Sequence, residues 1–322
     1  MNTISPNQHQ NCLAYASKSG YRIFAFKDFG LLSKQEKNLN QKITHIEMYY
    51  LTNILFMIYE SDPLSIAVFD DYNQTIKDKL KFDNKIARIY AREKRLFVLK
   101  EKRGLEIIDL QTFNTIATFE NIVYFEKICF EIPVIDDIFV GWNVKDKGEI
   151  KLLSLHQLPK IIQNEDICLH KNNSCRNFVI NRSAKFLASN SKGTIIKVYD
   201  LNTKTKKTFQ LNMLGREISS MLFIPGETFL VVVEDSGVVS VLNTNQSYDE
   251  NVEESTGLFQ KFTRPKCWMS LNVPLKQSQV AYNASNNSLY FYNPDKVIMQ
   301  MEVNMKDKIS NNGKLIKLDE LA

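Results

Sequence analysis

No stretch of this chain is apolar for long enough to cross a bilayer as a helix, which takes about 18–20 residues. The best candidate, Met221 to Val233, is broken by Pro225, Gly226 and Glu227. The first eleven residues are polar and lack the apolar core of a secretory leader. Cysteine is sparse: the five residues Cys12, Cys129, Cys168, Cys175 and Cys267 form no CxxC pair. That excludes a disulfide framework or a zinc ribbon and points to a reducing, cytoplasmic compartment. The sequon Asn181-Arg-Ser183 is then incidental. Glycine is scarce for an all-β chain, 11 in 322 residues, and none sits in a Walker-type loop. There is no GxSxG elbow and no HExxH. His170 lies near Cys168 and Cys175, yet a metal centre would need a fourth ligand. Asp70-Asp71 and Asp136-Asp137 stand at strand ends, where carboxylates cap turns. The expectation is a protein that is not an enzyme, with no cofactor, no metal and no small-molecule substrate. The net charge of +5 is modest, permitting attraction to an anionic membrane without requiring it.

What the chain does have is a β-pattern repeated from end to end. Around the turn Asn190 to Gly193, Lys185–Ser189 and Thr194–Tyr199 read as a hairpin closing on Asp200. Six further segments resemble its second arm: Tyr21–Phe26, Ser65–Asp70, Leu105–Asp109, Ile150–Leu155, Val238–Asn243 and Leu289–Asn293. With Ile195–Asp200 they make seven, each read as the inner or third strand of a sheet. Before each lies a second β-pattern: Cys12–Ser17, Ile54–Tyr59, Leu96–Lys100, Ile138–Trp142, Phe186–Ser189, Phe229–Val233 and Gln279–Asn283. The spacing of roughly 40–50 residues is that of WD40-type blades. Circular closure removes the exposed edges that such sheets would otherwise leave. The sequence therefore predicts one all-β domain over 1–322, a seven-bladed β-propeller. Two stacked β-sandwiches are the rival architecture. Which terminus completes the last blade is left open.

Two regions break the pattern in the sequence. Asp78 to Arg103 is rich in Lys and Arg, from Lys79, Lys81 and Lys85 to Lys100, Lys102 and Arg103. It reads as a solvated blade edge or as a docking face for an acidic partner or membrane. It interleaves acids and lacks an RNA-binding signature, so nucleic acid is not expected. The second region is an inter-strand loop at about 244–266. Its first half is acidic; its second half interleaves Leu258, Phe259 and Phe262 with Lys261, Arg264 and Lys266. Such a loop suits a membrane interface, with apolar side chains in the acyl boundary and cations among headgroups. The alternative places Phe259 and Phe262 against the blade.

The order of these features resembles the PROPPIN family, the WIPI-type propellers that bind polyphosphoinositides in autophagy. Asn7-Gln-His-Gln-Asn-Cys12 followed by Gly20-Tyr-Arg-Ile-Phe24 is similar to the family's first blade. Ile66-Ala-Val-Phe-Asp-Asp71 is similar to the end of its second. Asn181 to Asp200 resembles its fifth-blade hairpin. Cys267 to Pro274 resembles the strand that opens its last blade. The register of Ile218-Ser-Ser220-Met-Leu-Phe223 places the family's F-R-R-G signature on Phe209-Gln210-Leu211-Asn212. Both arginines, planar multi-donor cations suited to phosphate, are replaced.

The resemblance implies a fifth-blade lipid site of His170, Ser189 or Ser191, Thr194, Lys197 and Gln210, with Lys197 where the family has arginine. It implies that the sixth-blade site is lost, since Glu234 and Asp235 would repel a phosphate. The function implied is a non-catalytic adaptor on autophagic or endolysosomal membranes. It would bind phosphatidylinositol 3-phosphate or 3,5-bisphosphate weakly. Its protein partners would be a bridge-like lipid-transfer protein or the machinery that conjugates ubiquitin-like proteins to lipid. The alternative is a protein-interaction scaffold that has lost lipid binding.

Overall fold

The computed structural model describes residues 4–27, 30–102, 104–120, 122, 130–131, 139–143, 148–155, 164–170, 175–191, 195–211, 217–224, 229–245, 269–284, 287–293, 297–304, 308–309 and 314–317. They form seven antiparallel sheets of consecutive strands. The first holds β1 (Ile4–Pro6), β2 (Cys12–Ala16), β3 (Gly20–Lys27) and β4 (Gly30–Asn38). The second holds β5 (Ile43–Met48), β6 (Ile54–Tyr59), β7 (Asp62–Asp70) and β8 (Thr75–Lys81). The third holds β9 (Ile86–Ala91), β10 (Arg95–Lys100), β11 (Leu105–Asp109) and β12 (Thr115–Phe119). The fourth holds β13 (Phe130–Glu131), β14 (Phe139–Asn143), β15 (Glu149–Ser154) and β16 (Asn164–Cys168). The fifth holds β17 (Cys175–Ile180), β18 (Phe186–Ser191), β19 (Ile195–Asp200) and β20 (Lys206–Gln210). The sixth holds β21 (Ile218–Phe223), β22 (Phe229–Glu234), β23 (Val238–Asn243) and β24 (Met269–Asn272). The seventh holds β25 (Gln279–Asn283), β26 (Ser288–Tyr292), β27 (Val297–Asn304), β28 (Lys308–Ile309) and β29 (Lys314–Lys317).

The second and third strands are mainly apolar, because each of their faces meets a neighbouring sheet. Seven core clusters result, one for every pair of adjacent sheets. The last joins the ends of the chain: Leu13, Tyr15, Phe24 and Phe26 pack on Ala281, Tyr290, Tyr292 and Ile298. The Phe26 and Tyr290 rings stack with centroids 3.8 Å apart. The seven-bladed propeller is therefore a closed ring. The last sheet is built from C-terminal strands alone, with β28 and β29 both pairing β27, so side-chain packing closes the circle.

The sharp turns carry their own sequence signal. Oδ1 of Asp70, Asp109 and Asp200 accepts backbone N–H bonds from the second and third residues beyond, at 2.8–3.1 Å. Four residues on, Gln74, Phe113 and Lys204 take positive φ. These aspartates are turn caps, the role the sequence gives Asp70; Asp136 and Asp137 lie outside the described residues.

Three expectations need correction. Strand Met269–Asn272 pairs β23 and completes the sixth sheet instead of opening the seventh. Accordingly Gln279–Asn283 and the segment at Leu289 are the first and second strands of the last sheet. The loop at 244–266 displaced the count by one strand, so the pattern of β27 went unread. Third, the basic run 78–103 keeps the repeat: it holds the end of β8 and all of β9 and β10. Much of its charge is paired internally, Lys79 with Asp62 at 2.6 Å, Lys85 with Glu101 at 2.6 Å and buried Lys100 with Asp83 at 2.9 Å.

Candidate functional site

Three of the predicted lipid-site residues meet at the boundary of the fourth and fifth sheets. Strand β18 pairs β19 so that Ser189 stands directly opposite Lys197. Residues that face each other across two antiparallel strands share one side of the sheet. That side carries Leu187 and Phe178 and packs on Ile150, Leu152 and Leu169 of the fourth sheet. His170 follows β16 just past Leu169, and its backbone N–H donates to Gly148 O at 3.2 Å. Its Nε2 reaches Ser189 Oγ at 3.0 Å. His170 and Ser189 are 3% and 0% exposed, and Lys197 is 5% exposed. Ser191 is buried at the end of β18, opposite Cys175. An ammonium, a hydroxyl and an imidazole thus lie together inside the protein, where a charge is costly unless it is countered. That is donor chemistry suited to an oxyanion.

Thr194 lies outside the described residues. Gln210 ends β20, and its backbone pairs Ile195. It falls two residues from Thr208, the partner of Lys197, so position 210 has the pleat phase of the site. Phe209 and Leu211 have the other phase and sit in the core between the fifth and sixth sheets, with Ile218 and Phe223. Positions 209–211 therefore end the outer strand of the fifth sheet, at the passage to the sixth, as the register predicts. Lys204 and Lys206 are exposed at the other end of β20, and Lys207 Nζ donates to Thr244 O at 2.8 Å.

At the corresponding place in the sixth sheet Glu234 is buried at the end of β22, and Asp235 is half-buried next to it. Gly237 follows with φ of 90° and donates its N–H to Glu234 O at 3.0 Å. Residues 246–268, including Leu258, Phe259, Lys261, Phe262, Arg264 and Lys266, lie outside the described residues. They join the third strand of the sixth sheet to its fourth. Among the described residues no helix is long and apolar enough to cross a membrane. Nor do three or more His, Cys, Asp or Glu side chains among them gather to hold a metal ion.

One network escaped the sequence reading. The turn after β1 reaches across the ring. Gln8 Nε2 donates to Met48 O at 2.7 Å and to Ala91 O at 3.0 Å, and Gln8 Oε1 accepts from Tyr50 N at 2.7 Å. Beneath it the buried Glu47 carboxylate accepts from Ser5 Oγ at 2.8 Å and lies 3.9 Å from Arg92 Nη1. Burial pushes the Glu47 carboxyl up to about 7, against the opposing pull of Arg92 and the Ser5 hydroxyl. The only signal was the pair Asn7-Gln8, met as part of a family resemblance with no role attached.

No family model matches the chain. It is similar to autophagy-related protein 18 of Debaryomyces hansenii, 22% identical over 99% of this chain and 54% of that protein. It is similar also to autophagy-related protein 18 of Aspergillus oryzae, 23% identical over 76% of this chain and 63% of the other. The chain thus spans a little over half to just under two thirds of the length of these curated relatives. Among solved structures, Hsv2 of Kluyveromyces lactis, determined with its loop 6CD complete, superposes with a TM-score of 0.76, at 16% identity and 98% coverage of both chains. KlAtg21, solved in complex with the coiled coil of AgAtg16, gives 0.70 at 14% identity, covering 98% of this chain and 97% of that one.

Proposed function

We propose that this chain, a member of the PROPPIN family of β-propellers, works as a non-catalytic adaptor that binds phosphoinositide membranes weakly through its fifth sheet. The observation that carries the proposal is the meeting of His170, Ser189 and Lys197 beside the passage at 209–211. With Gln210 and Leu211 in place of two arginines, one cation at Lys197 remains to counter a headgroup phosphate. Leu211, 3% exposed within the core, offers no donor and no route to a ligand. Glu234 and Asp235 set carboxylates where a second phosphate would bind, and like charge repels it. Residues 258–266 add apolar and cationic contacts at the membrane. A weak headgroup site, this loop and a protein partner each contribute a modest term, and together they hold a surface that none holds alone.

Co-sedimentation with liposomes at near-physiological salt tests this reading. Binding to phosphatidylinositol 3-phosphate or 3,5-bisphosphate should exceed binding to vesicles of matched phosphatidylserine charge. Equal binding to both would reduce the membrane contact to plain electrostatics.

A second reading, in which protein partners dominate, has its own observation. The exposed large apolar side chains among the described residues, Leu51, Leu64, Tyr72 and Ile76, all belong to the second sheet. Asp71 N donates to Asn53 O at 2.7 Å. That bond brings the turns bearing Leu51 and Tyr72 to one end of the sheet, where Ile76 begins the outer strand. Lys77, Lys79 and Lys81 follow along that exposed strand, Lys77 paired with Asp70 at 2.8 Å and Lys79 with Asp62 at 2.6 Å. An apolar anchor bordered by cations fits an acidic, partly apolar partner segment. The solved KlAtg21 complex shows a coiled coil bound to a propeller of this fold.

A further inference from the structure

We infer that the axial mouth of the propeller, at Arg182 and His9, is a binding site for a small oxyanion of the phosphate class. It is separate from the fifth-sheet site. Two turns build it, and both are locked by an asparagine. Asn7 Oδ1 accepts the backbone N–H groups of Asn11 and Cys12 at 2.9 and 3.0 Å. Asn181 Oδ1 accepts those of Lys185 and Phe186 at 2.8 and 2.7 Å. In each turn the third residue beyond the asparagine, Gln10 or Ala184, takes positive φ. The first turn is also pinned on both sides of His9, by Gln8 to the second and third sheets and by Gln10 Oε1, which accepts from Tyr282 N of the seventh at 2.7 Å. His9 is therefore held over the axis, with its ring edge-on to Tyr50 at 5.2 Å.

Arg182 comes from the fifth sheet and meets it there. Its Nη2 lies 3.3 Å from His9 Nδ1. A guanidinium has no lone pair to offer, so Arg182 donates and the neutral imidazole accepts. Arg182 Nε is buried and has no hydrogen-bond partner. A permanent cation thus rests on a neutral ring, with one donor unused, where a carboxylate would be its ordinary partner. Among the described residues, Arg92, Glu93, Lys94, Arg95 and Lys185 lie at the same end of their sheets, as do Asp70, Asp71, Asp109 and Asp200 in the turns before the outer strands, and Glu47 is buried below. The turns with Asp136, Asp137 and Glu227 lie outside the described residues. An oxyanion at the mouth would accept from the Arg182 guanidinium and from the N–H on the His9 nitrogen that does not face Arg182.

The test follows the histidine ring signals by NMR at constant pH while inorganic phosphate is titrated into the full chain. His9 is assigned by His9→Gln. Phosphate should move the His9 ring signals saturably, with the other histidines unmoved. Arg182→Gln should abolish the shift, and Arg182→Lys, which keeps the charge but lacks the Nε donor, should reduce it. A response at His170 with none at His9 would place phosphate at the fifth sheet and overturn the axial site. So would a His9 shift that survives Arg182→Gln. Soluble phosphate and vesicles bearing phosphatidylinositol 3-phosphate, compared by the same His9 signal, separate a free anion from a headgroup.

Discussion

Gln8 of the first sheet and Ala91 of the third are joined by a hydrogen bond of 3.0 Å, although 83 residues separate them. The same carboxamide also holds Met48 and Tyr50 of the second sheet. One buried side chain therefore ties three blades together at the axis. Gln8→Ala removes these bonds; Ala91 O keeps its bond from Arg92 Nη1 at 2.8 Å, while Met48 O and Tyr50 N lose the carboxamide. The expected loss is about 2–4 kcal/mol, read as a fall in the urea midpoint at unchanged m-value. A loss below about 0.5 kcal/mol would show that water replaces the carboxamide.

Glu47 and His45, two residues apart on β5, titrate in opposition. The Glu47 carboxyl is raised to about 7, so its stabilising effect is present below its unfolded pKa near 4.5 and lost as pH rises through 7. The His45 ring is lowered to about 4, first by burial and then by Arg88. Its effect runs the other way: stability is lost as pH falls from about 6.5 toward 4. Between roughly pH 4.5 and 6.5 the two slopes oppose each other. Glu47→Gln should expose a stability that rises with pH across this window, and His45→Gln one that falls. Thermal melts at half-unit pH steps would show both. Parallel profiles for the two variants would contradict the assignment.

Gly237 permits the turn between β22 and β23. A Cβ there would lie 2.2 Å from Val273 O, on a backbone with φ of 90°. Gly237→Ala should cost about 2–4 kcal/mol by chemical denaturation. A variant as stable as the parent would mean that β24 can shift away.

The apolar end of the second sheet makes its own prediction. Tyr72→Ala with Ile76→Ala should weaken capture of an acidic coiled-coil partner about tenfold or more. Because Tyr72 is 79% exposed, the melting temperature should stay within a degree or two of the parent. Unchanged capture would move the docking surface elsewhere.

The fold was legible because the apolar, β-branched and aromatic strand pattern recurs from sheet to sheet. In three of the seven sheets the third strand also ends on an aspartate that caps its own turn, Asp70, Asp109 and Asp200. The seventh sheet was misread because Met269–Asn272 follows a long loop, so pattern alone could not show that it returns to β23. The meeting of His170 with Ser189 was foreseen from resemblance, since 19 residues and a sheet boundary separate them. The Gln8–Glu47–Arg92 network was invisible to local reading. Its members come from three blades, and nothing in the pattern around Glu47 shows that strand β5 turns this carboxylate toward Ser5 and Arg92. Nor could the sequence show that Leu211 is core, because a lost arginine and a buried leucine look alike until the pleat is known.

The most direct test of the fifth-sheet account is to restore one arginine. Position 210 shares the pleat phase of the Lys197 pair, whereas position 211 faces the core. Co-sedimentation on phosphatidylinositol 3-phosphate vesicles, referenced to phosphatidylserine vesicles of equal charge, is the measurement. Gln210→Arg should strengthen specific binding about tenfold or more, by adding a charge-assisted phosphate contact worth about 1.5–3 kcal/mol. Lys197→Ala should abolish it, and Leu211→Arg should destabilise the fold without gain. If Gln210→Arg leaves specific binding unchanged while the protein stays folded, the headgroup does not bind at the fifth sheet and the account is wrong.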